Sequence, residues 1–269
     1  MKQFLLAKEP DDGIVRLDGD DYRYLVRVRR LAPGEFFPAL LPSGEETLIQ
    51  VLSVEKGVLT GKRVSSQKRA QKHAQNPPSS PSPSIPAILL FQALPKGEKM
   101  DVIVRQAAEG GITEIVPFVS EFSIAKAGAG EQKFSRWQRV IREARQQCGS
   151  KIPTAVRRPL SKEELIIYWK ELKAAHALGL LFHHQGLENK SLHSYLDSSN
   201  LDSVPEVIVI AIGPEGGFSD TEVSLFLENG FNPITIGDTI LRTETAALYC
   251  AAAVRTILLE RDSWQLKQR

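Results

Sequence analysis

The sequence predicts an α/β protein, a parallel sheet flanked by helices, preceded by a small β-barrel or curled sheet. Three observations lead there. Val207–Ile212 is an unbroken β-branched run between Pro205 and Gly213, the pattern of a strand buried on both faces, as parallel strands are. From Ala87 onward, short apolar runs alternate with segments of helical period, which is the order of βαβ units. Before residue 66 there are only short apolar runs separated by turn signals.

In chain order, Phe4–Leu6, Ile14–Leu17, Phe36–Leu41, Leu48–Val54 and Val58–Val64 read as strands, with Pro42-Ser43-Gly44 and Lys56-Gly57 as turns between them. One helical piece interrupts them, Asp20–Leu31, and it gathers Arg23, Arg27, Arg29 and Arg30. Such a cluster is either a solvated basic face or a phosphate contact. A segment of alternating Pro and Ser follows, PPSSPSPSIP, which favours extended geometry and buries too little to fold alone. The expected division is therefore 1–72 as a first domain, 73–86 as a linker, and 87–269 as a second domain. The first part is the more basic, with 13 Lys and Arg against 10 Asp and Glu in residues 1–84.

The second domain opens with strand Ala87–Ala93, helix Met100–Glu109 closed by Gly110-Gly111, and strand Ile115–Val119. Phe134–Cys148 is a helix whose Trp137, Ile141, Ala144 and Cys148 share one face while Arg136, Arg139 and Arg142 share another. Residues 133–158 carry eight Lys and Arg but one acid, Glu143. A stripe of one sign repels itself unless a polyanion relieves it, which favours RNA backbone contact over a solvated face. Ser161 and Glu164 form a capping box for a helix ending near Ala174, and Ala177–Phe182 is the next strand. His183 and His184 stand at its carboxyl end, without a second pair at metal-ligand spacing, so no metal site is expected. Residues 185–204 read as a loop with a short helical piece.

After strand Val207–Ile212, Gly213, Gly216 and Gly217 allow the backbone to approach a ligand closely. Ser219 and Glu222 form a second capping box, Phe218 and Val223 a hydrophobic staple, and Asn229-Gly230 the helix end. Pro233–Ile236 is a short strand, Gly237-Asp238 a turn, and Thr243 the N-cap of an alanine-rich helix through Glu260 that reads as buried. Two loops at neighbouring strand ends can share one ligand, because open α/β sheets bind ligands beyond the carboxyl ends of their strands. The glycine loop lacks the Lys-Ser/Thr of a phosphate loop and the spacing of a dinucleotide fingerprint. Glu215 within it suits a ligand carrying ammonium or sulfonium charge, or else braces the helix start.

The segments GPEGGFSDTE and IGDTILRTETAAL resemble the cofactor-binding motifs of the SPOUT methyltransferases, and more narrowly the RsmE family, which methylates N3 of a uridine in small-subunit (16S) ribosomal RNA. Similarity extends to YRYLVRVRRLAPGE, to LPKGEKMDVIVRQAAEGGITEIVPFVSE and to REARQQCG, so it spans nearly the whole chain. The resemblance implies a trefoil-knotted sheet, a PUA-like β-barrel before it, S-adenosyl-L-methionine as methyl donor and a homodimer acting on ribosomal RNA or the assembled small subunit. It places cofactor contacts at Leu181, His183, Ile212, Gly213, Pro214, Glu215, Gly217, Ile236, Gly237, Ile240, Leu241, Thr243 and Ala246. It favours Arg23, Arg27 and Arg30 as RNA contacts, beside Arg136, Arg139 and Arg142 of the basic stripe.

Methylation at N3 requires that the N3 proton leave and that charge on the flanking carbonyl oxygens be stabilised. Arg242 suits the second task, since its guanidinium is always charged and presents planar donors. Glu244 orients that arginine, contacts the substrate, or simply favours the helix N-terminus. The base is unassigned, with His183 and solvent as candidates. Transfer to a ribose 2′-hydroxyl, or an RNA-binding assembly factor without catalysis, are the alternatives.

Composition narrows the class. The chain has 269 residues, 42% apolar and 25% charged, with net charge +2, values of an ordinary globular protein. It shows neither a membrane span nor a signal peptide, so a cytoplasmic protein without membrane attachment is expected. Its two cysteines, Cys148 and Cys250, fall in helices about 100 residues apart, where core packing is the expectation and a disulfide scaffold is not.

Overall fold

The computed structural model describes residues 4–64, 85–123, 131–183, 191–196 and 205–265. The expected linker 73–86 lies outside these except for Ile85 and Pro86, as does His184. The chain forms two compact units, Met1–Ser82 with Arg145–Pro153, and Pro83–Ala144 with Thr154–Arg269.

In the first unit, β1 (Phe4–Leu5), β2 (Ile14–Leu17), β3 (Phe36–Leu40), β4 (Glu46–Glu55) and β5 (Val58–Val64) form one curled sheet in the order β1-β3-β4-β5-β2. The pairs β3–β4, β4–β5 and β2–β5 are antiparallel and β1 joins β3 in parallel. Alternate residues face inward, so Phe4, Val15, Phe37, Ala39, Ile49 and Leu59 meet in one apolar core. The expected helix over 20–31 is instead one α-helical turn, α1 (Gly19–Tyr22), that widens into π-helical turns over Arg23–Val28. Arg29 N–H reaches back to the Tyr24 carbonyl at 2.9 Å, five residues away. Wide winding of this kind keeps Leu25 fully buried in the core while Arg23, Arg27 and Arg30 stay exposed.

In the second unit, β6 (Ala87–Ala93), β7 (Glu114–Phe118), β8 (Ala155–Val156), β9 (Ala177–Phe182), β10 (Val207–Ile212) and β11 (Asn232–Ile234) form a wholly parallel sheet in the order β11-β9-β10-β6-β7-β8. The helices α2 (Lys99–Gly110), α3 (Glu131–Cys148), α4 (Lys162–Ala174), α5 (Leu192–Leu196), α6 (Asp220–Glu228) and α7 (Thr243–Gln265) alternate with the strands. Strand side chains alternate between two cores. Ile208, Ile210 and Ile212 of β10 join Ile103 of α2, Ile141 of α3 and Val254 of α7. Val209 and Ala211 join Trp169 of α4 and Phe226 of α6 on the opposite face. Burial on both faces is why β9 and β10 carry no polar side chain and β6 carries one, Gln92.

Helix ends follow the local signals. Both capping boxes form, Ser161 with Glu164 and Ser219 with Glu222. Gly111 ends α2 in the left-handed conformation at φ 80°, a shape that favours glycine. Thr243 departs from its expected role as a cap, because it is the first helical residue of α7 and its hydroxyl donates to the Gly213 carbonyl at 2.7 Å. Helix α7 is buried along one face only: Ala247, Cys250, Ala251 and Val254 are inside, while Leu248, Tyr249 and Leu259 are exposed. Trp137, Ile141 and Ala144 are buried as their spacing predicts, whereas Cys148 is exposed.

Candidate active site

The site grows from the carboxyl end of β10. Gly213 leaves the strand where a Cβ would lie 3.0 Å from the backbone of Gly217, close enough that a side chain there would push the loop apart. A turn follows, with Gly217 N–H on the Pro214 carbonyl at 3.0 Å and Gly217 at φ 71°. Glu222, 1% exposed, then secures the loop from behind. Its carboxylate closes the capping box on Ser219 N–H at 3.1 Å and also accepts from the Ser120 hydroxyl and Glu121 N–H, both at 2.9 Å. The local capping signal thus serves a contact about 100 residues away, with the turn after β7.

Glu215 braces the loop from the other side. It accepts from Lys99 Nζ at 2.6 Å and from Lys96 N–H at 3.1 Å. Burial works against its charged form, but the Lys99 ammonium and the backbone N–H groups of Glu215 and Lys96 outweigh it and hold the carboxyl below its ordinary value. The same ammonium lies 3.8 Å from Glu244 Oε2, a buried atom that no hydrogen bond reaches. Lys99 at the start of α2 therefore stands between the glycine loop and the start of α7.

A second tie runs through the interior. The fully buried Gln92, near the end of β6, donates through Nε2 to the Thr243 hydroxyl at 3.0 Å, and that hydroxyl donates in turn to the Gly213 carbonyl. Three segments are fixed to one another by these two hydrogen bonds, the first of them buried and the second part-buried. Buried pairs of this sort hold geometry, because a lost partner leaves an unsatisfied group.

Between these loops lies a cavity of about 230 Å³. Its floor is apolar, made by Ile212, Ile234, Ile236, Ala246 and Cys250. Its walls are the glycine loop from Gly213 to Phe218 and residues 239–241, with Phe182 and His183 beside them. Peptide edges around an apolar floor suit a flat heteroaromatic group with hydrogen-bonding rim atoms. Burial pushes the Cys250 thiol up to about 12, so it is a neutral wall and not a nucleophile.

Of the expected cofactor contacts, His183, Ile212, Gly213, Pro214, Glu215, Gly217, Ile236, Ile240, Leu241, Thr243 and Ala246 line this cavity. Leu181 and Gly237 do not. Leu181 is fully buried in the opposite core, as strand alternation requires, and Gly237 is a turn residue at φ 70°. Gly216 lines it too, as its place in the glycine loop suggests, and so do Phe182, Phe218, Ile234, Thr239 and Cys250, which the motifs do not indicate as ligand contacts. Arg242 is exposed, set between the lining residues Leu241 and Thr243, with no ion-pair partner among the described residues.

The basic residues are less uniform than the sequence suggests. Arg136 is held by Asp101 at 2.6 Å and Glu98 at 3.3 Å, Arg157 by Glu114 at 2.6 Å, and Arg158 by Glu131 at 2.7 Å. Arg145 is buried. Acids distant in sequence thus relieve much of the stripe, whose self-repulsion needs no polyanion to offset it. Arg139 remains well exposed beside Glu143, and Arg23 pairs with the exposed Asp20 at 3.2 Å. Among the described residues no group of three or more His, Cys, Asp or Glu could hold a metal ion, and no helix is long and apolar enough to cross a membrane.

Comparison with known proteins agrees with this geometry. A family model described as an RNA methyltransferase domain matches residues 81–255. A ribosomal RNA small subunit methyltransferase E from Synechocystis sp. is 32% identical over 247 residues, which is 92% of this chain and 74% of the relative. One from Mycobacterium bovis is 30% identical over 264 residues, 97% and 93% of the two chains. The crystal structure of a ribosomal RNA small subunit methyltransferase E from Neisseria gonorrhoeae, bound to S-adenosyl methionine, superposes with a TM-score of 0.73 at 26% identity, covering 96% of this chain and 98% of that one.

Proposed function

This chain belongs to the RNA methyltransferase family and stands within it among the ribosomal RNA small subunit methyltransferases E, and from that premise we propose that it methylates N3 of a uridine in 16S ribosomal RNA. The observation that carries the reading is the cavity at the carboxyl ends of β9, β10 and β11, walled by the two segments that resemble the family's cofactor motifs. S-adenosylmethionine, when bound, supplies an electrophilic methyl group on a sulfonium. The residues fit it: the apolar floor suits the adenine, the glycine loop offers backbone groups without side chains in the way, and the carboxylate of Glu215 lies in the wall.

The chain's own groups divide the work. The loops 212–217 and 236–243 hold the cofactor, and the ties of Gly213 to Thr243 and of Glu215 to Lys99 keep them in register. As N3 of the uracil loses its proton, charge spreads to its carbonyl oxygens, and in this reading the exposed guanidinium of Arg242 stabilises it. Glu244, paired with Lys99, positions the start of α7. Arg23, Arg27, Arg30, Arg139 and Arg142 are the RNA contacts in this reading, and Arg136 divides its charge between RNA and Asp101.

The same reading includes a trefoil knot in the parallel sheet, a PUA-like role for the N-terminal sheet, a boundary near 73–86 and a cytoplasmic protein. It also includes a homodimer, which the exposed apolar side chains Leu248, Tyr249 and Leu259 of α7 support. Incubating the protein with S-adenosylmethionine and small-subunit ribosomal RNA, then digesting the RNA for nucleoside mass spectrometry, tests the activity. The expected product is 3-methyluridine; 2′-O-methyluridine or no product would refute it.

A further inference from the structure

We infer that the exposed ring of Phe122 is a stacking platform for an unpaired base of the RNA substrate, beside the cofactor cavity. The inference rests on the RNA methyltransferase reading and adds a contact to it.

Phe122 lies in the turn Ser120–Ser123 that follows β7, and the turn is fastened on every side of it. Ser123 N–H bonds the Ser120 carbonyl at 3.0 Å, and the Ser123 hydroxyl donates to the Leu94 carbonyl at 2.9 Å. The buried carboxylate of Glu222 holds the Ser120 hydroxyl and Glu121 N–H, while the Glu121 side chain accepts from Lys162 at 3.0 Å and from Thr221 at 2.9 Å. Yet Phe122 is 50% exposed. One exposed aromatic is ordinary on a protein surface. A ring held out by a pinned turn is different, because little ordering entropy is left to lose when a ligand meets it.

Its place gives the ring its partner. The Phe122 side chain packs on Gly216, where an added Cβ would come within 3.1 Å of the Phe122 Cβ and 3.4 Å of its ring. Gly216 lines the cavity, so the ring sits at the outer surface of the cofactor loop. An enzyme acting on N3 needs its uracil unpaired, in single-stranded or flipped-out RNA, and bases so exposed stack on aromatic or apolar side chains. Base–aromatic stacking tolerates any sequence, since every base has a π-face.

Substituting Phe122 by Leu, by Ala and by Trp separates stacking from packing. Purified small-subunit ribosomal RNA is the probe for affinity and for methylation kinetics, with calorimetry for S-adenosylmethionine and a melting curve on each sample. Phe122→Leu and Phe122→Ala are expected to raise the Kd and KM for RNA about tenfold, with cofactor Kd and melting temperature unchanged, and Phe122→Trp to keep wild-type affinity. Wild-type RNA affinity in Phe122→Leu overturns the proposal, because the π-face is then not used. A shift in cofactor Kd or melting temperature matching the loss in RNA affinity also overturns it, making the ring a packing element of the Gly216 loop. Failure of the wild-type protein to methylate the RNA would overturn the function beneath it as well.

Discussion

Thr243 and Gly213, 30 residues apart, are joined by a hydrogen bond of 2.7 Å that fastens the first residue of α7 to the loop leaving β10. The buried Gln92 amide donates to the same hydroxyl. Thr243→Val keeps the shape and removes both bonds, which costs the Gly213 carbonyl its donor and leaves the Gln92 amide with its bond to the Ala93 carbonyl alone. A loss of about 1–3 kcal/mol in stability is expected, together with weaker cofactor binding, and Thr243→Ser should restore both. Thermal melting and calorimetry with S-adenosylmethionine measure the two effects.

Lys99→Met tests the ionic tie. The ammonium is partly exposed, so its loss should cost no more than about 1 kcal/mol of stability, but it frees Glu215 and Glu244 together. Cofactor Kd should rise several-fold, and Glu215→Gln in the Lys99→Met background should recover part of it. There is an acid signature. The Glu215 carboxyl is held below its ordinary value of 4.5, so its contribution to stability is present above about pH 4.5 and is lost as pH falls through the folded value. Lys99→Met should flatten that part of the pH–stability profile.

Alkylation distinguishes the two cysteines. Cys250 is buried with its thiol pushed to about 12, whereas Cys148 is exposed. Iodoacetamide at pH 8 should label Cys148 in the folded protein and leave Cys250 until denaturant is added, as peptide mass spectrometry reads directly.

Salt dependence sorts the arginines. Replacing the exposed Arg139 should lower the slope of log K against log[salt] by about 0.7–0.9. Arg136→Ala should change the melting temperature more than the slope, since its guanidinium is already held by Asp101 at 2.6 Å. Equal effects on the slope would return Arg136 to the RNA contacts on the same footing as Arg139.

Much of the second unit is legible in the sequence because its signals are local. Val207–Ile212 and Ala177–Phe182 are strands at the expected bounds, and both capping boxes start their helices. The cavity loops were legible for the same reason, since glycines and strand ends are adjacent in the chain. What was not legible is the set of long-range partners: Lys99 for Glu215, Gln92 for Thr243, Ser120 for Glu222. No spacing rule announces a partner 100 to 150 residues away. The same blindness misjudged the basic stripe, whose neutralising Asp101 and Glu114 come from α2 and β7. The π-helical turn at Arg23–Val28 reads as ordinary helix in sequence, because wide and normal winding use the same residues.

The most direct measurement is single-turnover methylation of small-subunit ribosomal RNA by wild-type protein and Arg242→Ala at saturating cofactor and RNA, scored as 3-methyluridine, with a melting curve and cofactor Kd on the same samples. Arg242 is exposed and outside any ion pair among the described residues, so its loss should leave folding and cofactor binding intact. The rate should fall roughly 10²–10³-fold, the cost of one donor to a developing oxyanion, and Arg242→Lys should recover little because a point charge does not reproduce the planar fork. A wild-type rate of 3-methyluridine formation in Arg242→Ala, or a rate lost in step with melting temperature and cofactor affinity, would contradict the account.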